Sequence, residues 1–79
     1  MQQFPVDAPI SRVKRALAVL GFLIVREENH ISLERPNLDG TRTTMTIPNH
    51  STIKGSTLRT AISLARIPRE DFLRAYEKS

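Results

Sequence analysis

Two histidines and a lysine–glycine pair are the residues of this 79-residue chain whose types and positions best suit chemistry. His30 lies in the stretch NHIS, and His50 follows Pro48 and Asn49. A histidine can accept and return a proton near neutral pH, because its ordinary pKa is about 6.5. His30 is therefore a candidate general base, and an exposed strand residue without a catalytic role is the alternative. His50 is either a turn or supporting residue or a substrate contact.

RNA is a substrate on which a histidine can act without a cofactor. It carries its own nucleophile, so a base that removes the 2′-hydroxyl proton starts in-line attack on the adjacent phosphorus. Lysine or arginine can stabilise the charge that develops on the phosphorane. Lys54 stands just ahead of a predicted helix, where charge and free amides together attract phosphate. The alternative is that Lys54 is an ordinary solvated side chain. Arg12, Lys14 and Arg15 lie on the polar side of the first predicted helix and are expected to be solvated.

The sequence contains few signals for other chemistry. It has no cysteine, no G-x-S-x-G motif, and three glycines too scattered for a phosphate-binding loop. Glu27, Glu28 and Glu34 have no spacing that favours a cation over a solvated edge. We therefore expect no metal, no cofactor and no small-molecule ligand.

The positive charge is concentrated in the second half of the chain. Residues 1–40 contain five basic and five acidic side chains, whereas residues 41–79 contain seven basic and three acidic ones. The net charge of +4 favours a polyanionic partner but does not identify it. The longest apolar run, residues 22–25, is too short to span a membrane, so we expect a cytoplasmic protein with no membrane partner.

Apolar residues at helical spacing predict two helices that flank the middle of the chain. The first is expected to have Asp7 or Ser11 as its N-cap and to end at Gly21. The second begins near Ser56 or Thr57. A short third helix begins at Pro68. Their predicted core residues are Ile10, Val13, Leu17, Leu20, Leu58, Ala61, Ile62, Ala65, Phe72, Leu73 and Tyr76.

Three antiparallel strands are predicted between these helices, at residues 22–27, 29–35 and 41–47. Glu28 and Asn29 form the first turn, for which asparagine suits a left-handed backbone, and Asp39-Gly40 ends the second loop. The alternation of apolar and polar residues along the strands predicts that one face of the sheet is covered by the helices and carries Ile31, Leu33, Met45 and Ile47. The solvent face receives His30, Ser32, Glu34, Arg42, Thr44 and Thr46. The fold class is α+β, one domain over residues 1–79, in the order α-β-β-β-α with a short C-terminal helix.

Two segments resemble the HicA toxins of toxin–antitoxin pairs. They are GFLIVREENHISLER and TMTIPNHSTIKGSTLRTAISLARIPREDFL, and the resemblance runs from about Ile10 to Tyr76. The second is the more specific, with Pro-x-His, a short spacer, and Lys-Gly followed by Thr-Leu-Arg. The resemblance implies a small ribonuclease, or mRNA interferase, on a fold similar to double-stranded-RNA-binding domains.

The resemblance also implies roles for individual residues. In the family a glycine, a serine or asparagine, and then the catalytic histidine open the second strand. Asn29 and His30 match the last two positions, whereas Glu28 replaces the usual glycine. His30 would be the general base, and the expected RNA contacts are Asn29, Arg42, His50, Lys54 and Arg59. The implied partners are mRNA and a HicB-like antitoxin.

The sequence is also compatible with two other functions. One is a non-catalytic RNA-binding module, because a fold of this kind recognises A-form geometry largely by shape. The other is a protein-binding role for the open sheet face, with the positive charge incidental.

Overall fold

The computed structural model describes residues 3–79 and has an α+β fold, with helices packed on a three-stranded antiparallel sheet. The strands are β1 (Asp7–Pro9), β2 (Leu23–Glu27), β3 (His30–Pro36), β4 (Arg42–Pro48) and β5 (Thr52–Lys54). The helices are α1 (Ile10–Val19), α2 (Gly55–Leu64) and α3 (Arg69–Glu77). The predicted α-β-β-β-α order with a C-terminal helix is confirmed.

The main sheet has the order β2-β3-β4, and its two faces separate apolar from polar side chains. In the register of β3 and β4, His30 pairs with Pro48, Leu33 with Met45, and Pro36 with Arg42. The four apolar residues predicted to lie beneath the helices are buried, which confirms the facing derived from their alternation: Ile31, Leu33, Met45 and Ile47. The opposite face, here called the outer face, is open to solvent.

Strand β2 contains an irregularity that alters which of its side chains lie on the outer face. Leu23 pairs with Glu34 and Ile24 with Leu33, but the next pair is Arg26 with Ser32, so Val25 has no partner in β3. One unpaired residue in an antiparallel strand is a β-bulge, and it moves all later side chains to the other face.

A second, two-stranded sheet joins β1 and β5 and was not predicted. Asp7 pairs with Lys54. The Gly55 N–H donates to the Val6 carbonyl oxygen at 2.6 Å. A Cβ on Gly55 would lie 2.1 Å from the Pro5 carbonyl oxygen, so only glycine permits the N-terminal segment to cross the start of α2.

Several predicted helix caps and turn conformations differ from the structure. The N-cap of α1 is Pro9, without a side-chain cap from Asp7 or Ser11. The Ile10 N–H donates instead to the Ser51 carbonyl oxygen at 2.9 Å. Helix α2 begins at Gly55, one residue before the predicted start. Gly21 has a φ of +93° just after α1, as expected for a helix end, whereas Asn29 does not have a positive φ.

Helix α3 closes the core against α1. Phe72 is fully buried, and its ring stacks on Phe4 at 5.9 Å and on Tyr76 at 5.8 Å between centroids. The Arg12 Nε donates to the Tyr76 carbonyl oxygen at 3.0 Å, and its guanidinium lies 4.0 Å from the Tyr76 ring. The solvated interpretation of Arg12 is therefore wrong, because this side chain joins α1 to α3.

Candidate functional site

His30 is the first residue of β3, and its side chain is exposed on the outer face. Because Ile31 is buried beneath the helices, the pleat directs the His30 imidazole to the opposite, solvated side. A shallow cavity of about 360 Å³ surrounds it and is lined by Arg26, Glu28, Asn29, His30 and Ser32. This group, here called the His30 cavity, combines a potential base, a cation and hydrogen-bonding groups.

Arg26 reaches the His30 cavity because of the β2 bulge. In a regular strand that starts with Leu23 on the outer face, Arg26 would point inward. The unpaired Val25 shifts it to the outer face, opposite Ser32 and diagonal to His30. The Arg26 Nε lies 3.2 Å from a Glu28 carboxylate oxygen, and both side chains remain more than half exposed. Sequence alternation alone did not identify Arg26.

Asn49 connects the two loops that flank the His30 cavity. Its Nδ2 donates to the Glu28 carbonyl oxygen at 2.8 Å, and its backbone N–H donates to the Asn29 carbonyl oxygen at 3.1 Å. These bonds fasten the turn between β2 and β3 to the segment after β4. Asn49 was also missed as a site residue, because nothing in its local sequence distinguishes it from an ordinary loop asparagine.

His50 lies in the same segment but does not line the His30 cavity. It is exposed and stands two residues beyond Pro48, the partner of His30 in the β3–β4 register. The structure thus brings the two histidines to the same end of the sheet, His30 at the start of β3 and His50 in the segment that follows β4.

Arg42 lies at the other end of the outer face. It pairs with Pro36, six residues from His30, which corresponds to about 20 Å along a strand. Its Nη1 donates to the Glu34 Oε1 at 2.8 Å. In the adjoining loop, hydrogen bonds from the Thr41 side chain and backbone lower the pKa of Asp39 below its ordinary value. Because about 20 Å separates it from His30, Arg42 is not part of the His30 cavity.

Lys54 and Arg59 line a different cavity, of about 460 Å³, with Phe4, Asp7 and Ser56 among its other walls. The Gly55 amide is occupied by the Val6 carbonyl, so the expected set of free amides beside Lys54 is reduced. The Arg59 guanidinium lies 5.2 Å from the Phe4 ring centroid. Of the six predicted site residues, the structure brings Asn29 and His30 into one cavity and places His50 in a neighbouring segment. The other three lie away from the His30 cavity: Arg42 at the far end of the sheet, and Lys54 and Arg59 together beside the start of α2.

Within residues 3–79, no three histidine or carboxylate side chains are arranged as a metal site would require. None of the helices in the same range has the length and apolar character needed to cross a bilayer.

A family model described as the HicA toxin of bacterial toxin–antitoxin systems matches residues 10–67. This chain belongs to the HicA toxin family. No curated protein and no solved structure matches it. Membership implies that a HicB-type antitoxin is the partner of this HicA toxin.

The matched region contains every candidate site residue, from Arg26 to Arg59. It leaves β1 and α3 outside, although both pack into the same buried cluster as the matched elements. In this HicA toxin, therefore, the family likeness covers the site, and elements beyond it help to support the core.

Proposed function

We propose that this HicA toxin is an endoribonuclease that cleaves mRNA, with His30 as general base and without a metal ion. The observation that supports this most strongly is the exposed His30 side chain on the outer face, in one cavity with the Arg26 cation. A base that acts on RNA must be open to solvent and near a group that can hold phosphate.

The proposed step uses only groups of the RNA and this chain. A ring nitrogen of His30 removes the proton of a 2′-hydroxyl, and the 2′-oxygen attacks the adjacent phosphorus. The bond from phosphorus to the 5′-oxygen breaks, and the leaving oxygen takes a proton from His50 or from water. The products are a 2′,3′-cyclic phosphate on one fragment and a 5′-hydroxyl on the other.

The remaining cations extend the RNA path away from the His30 cavity. Arg42 lies on the same outer face and can hold backbone phosphates at its far end, and Asn29 lines the cavity itself. Lys54 and Arg59 provide a further basic region beside the start of α2. A HicB-type antitoxin that covers the outer face would block His30 and displace the RNA.

The experiment is cleavage of an end-labelled single-stranded transcript in EDTA by the wild-type protein and by His30→Ala. The wild type should produce fragments that end in 2′,3′-cyclic phosphate, and His30→Ala should produce none while keeping the wild-type circular dichroism spectrum. A transcript with 2′-deoxyribose at the cleaved nucleotide should resist the wild type, because the nucleophile is missing.

The other outcomes exclude the proposal. A retarded but uncut band would indicate a non-catalytic RNA-binding module, and its affinity should fall steeply with salt. A tight complex with the antitoxin and no RNA retention would indicate a protein-binding role alone. Cleavage and growth arrest that persist in His30→Ala would show that His30 is not the base.

A further inference from the structure

We propose that Arg26 is a catalytic residue, which binds the scissile phosphate and stabilises the phosphorane formed when His30 acts. This inference rests on the proposed function, because it assigns a second group to the same reaction. Three observations support it: the position of Arg26 in the His30 cavity, the bulge that places it there, and its guanidinium chemistry.

The first observation is position. Arg26 and His30 both line the cavity, whereas Arg42, Lys54 and Arg59 do not. A charge that stabilises a transition state must touch the atoms on which charge develops, so a cation at the far end of the sheet cannot replace it. Arg26 lines the same cavity as His30, and its side chain is 73% exposed, so it is free to reach a phosphate bound there.

The second observation is the bulge at Val25. Without the extra residue, strict alternation would put Arg26 on the face covered by helices and Glu27 on the outer face. With it, Glu27 lies on the inner side, where its carboxylate is 3.3 Å from the Lys14 Nζ. The irregularity thus exchanges an acidic side chain for a basic one beside His30, and bulges commonly re-aim side chains in this way near active sites.

The third observation is chemical. A guanidinium presents two parallel N–H groups that match the non-bridging oxygens of a phosphate, and it stays charged at every relevant pH. The Glu28 Oε2 lies 3.2 Å from the Arg26 Nε. Because this pair is exposed, it is weak, and a doubly contacted phosphate can replace the carboxylate.

The test compares Arg26→Ala with Arg74→Ala under single-turnover conditions. Arg74 is a matched control, since it is also exposed and also paired with a carboxylate, Asp71, but lies on α3. Arg26→Ala should lower the cleavage rate about 100-fold, as for loss of one charge-stabilising donor. Arg74→Ala makes the same change in net charge away from the His30 cavity, so its cleavage rate should remain within about twofold of the wild type.

Binding and rescue separate a catalytic role from a structural or purely electrostatic one. With a 2′-deoxy transcript that cannot be cut, Arg26→Ala should weaken binding much less than it slows cleavage. Arg26→Lys keeps the charge but loses the paired donors, so it should recover about tenfold of the lost rate. If Arg26→Ala loses the wild-type circular dichroism spectrum, the cleavage rate of Arg26→Lys tests the catalytic role instead.

The outcomes distinguish this inference from the proposed function. If His30→Ala is inactive but Arg26→Ala and Arg26→Lys cleave at the wild-type rate, Arg26 is not catalytic and the role of His30 stands. If Arg26→Ala weakens binding and leaves the rate of bound RNA unchanged, Arg26 only binds substrate and the inference is wrong. If both His30→Ala and Arg26→Ala retain full activity, both proposals fail.

Discussion

Glu28 places a carboxylate beside the two side chains proposed to act on RNA. It lines the His30 cavity, and its carboxylate lies 3.2 Å from the Arg26 Nε. A negative charge there repels phosphate and competes with it for Arg26. Since both partners are more than half exposed, solvent screens this effect and limits its size.

We expect Glu28→Gln to raise kcat/KM for RNA about threefold at low salt, the size appropriate to an exposed ion pair. The gain should shrink as salt increases, because mobile ions screen the carboxylate. Glu77→Gln, at the end of α3, makes the same change in net charge away from the cavity and is the control. An equal gain in both variants would show that overall charge, and not the Arg26–Glu28 pair, limits activity.

The sequence predicted which way His30 faces but not which way Arg26 faces. The exposure of His30 follows from its alternation with Ile31 and Leu33, and the structure confirms it. Arg26 was missed because its facing depends on the Val25 bulge, which arises from pairing with another strand. The catalytic role of His30 itself stays a prediction.

Among the structural elements, the two loops at the His30 end of the sheet depend on each other through Asn49. Its two hydrogen bonds set the position of the Glu28-Asn29 turn, and the His30 backbone continues directly from that turn. A small displacement of this turn would move the imidazole away from the position required for attack, and such displacements cost much of an enzyme's rate.

We therefore expect Asn49→Asp to lower the cleavage rate about tenfold and to leave RNA affinity nearly unchanged. The variant loses one donor and places a carboxylate against the Glu28 carbonyl oxygen, so its Tm should fall by about 5 °C. Asn37→Asp is the matched control, since Asn37 lies in the loop at the opposite end of the sheet and its Nδ2 donates to the Thr41 and Thr43 hydroxyl oxygens. If both variants lose the same Tm and the same activity, Asn49 has no special role in positioning His30.

The two strands of the second sheet could not be predicted from the sequence. The segments of β1 and β5 are three residues each, which is too short for an alternating pattern to be recognised. They pair because the N-terminal segment crosses the start of α2, a long-range contact that Gly55 permits. The longer strands β3 and β4 have alternation over seven residues, and their facing was predicted correctly.

For the molecule as a whole, the core depends on a helix that lies outside the family match. Phe72 of α3 is fully buried between Phe4 and Tyr76, although the matched region ends at residue 67. A protein of 79 residues has a free energy of unfolding of roughly 4–12 kcal/mol. Loss of a single large core side chain therefore removes a substantial part of that stability.

We expect Phe72→Ala to lower the free energy of unfolding by about 3–5 kcal/mol, measured by urea denaturation. Leu64→Ala is the control, because Leu64 also belongs to a helix but is 81% exposed, and its change should stay within about 0.5 kcal/mol. A loss of less than about 1 kcal/mol in Phe72→Ala would mean that α3 contributes little to the core.

The Val25 bulge also affects how the sheet can meet other chains. Strand β2 is an edge strand, and its Leu23, Ile24 and Val25 side chains are all exposed, a combination that normally offers a template for strand addition. The bulge interrupts the regular row of backbone groups, and the charges of Arg26 and Glu27 follow directly. The irregularity that turns an arginine toward His30 thus also shortens the edge on which uncontrolled self-association could grow.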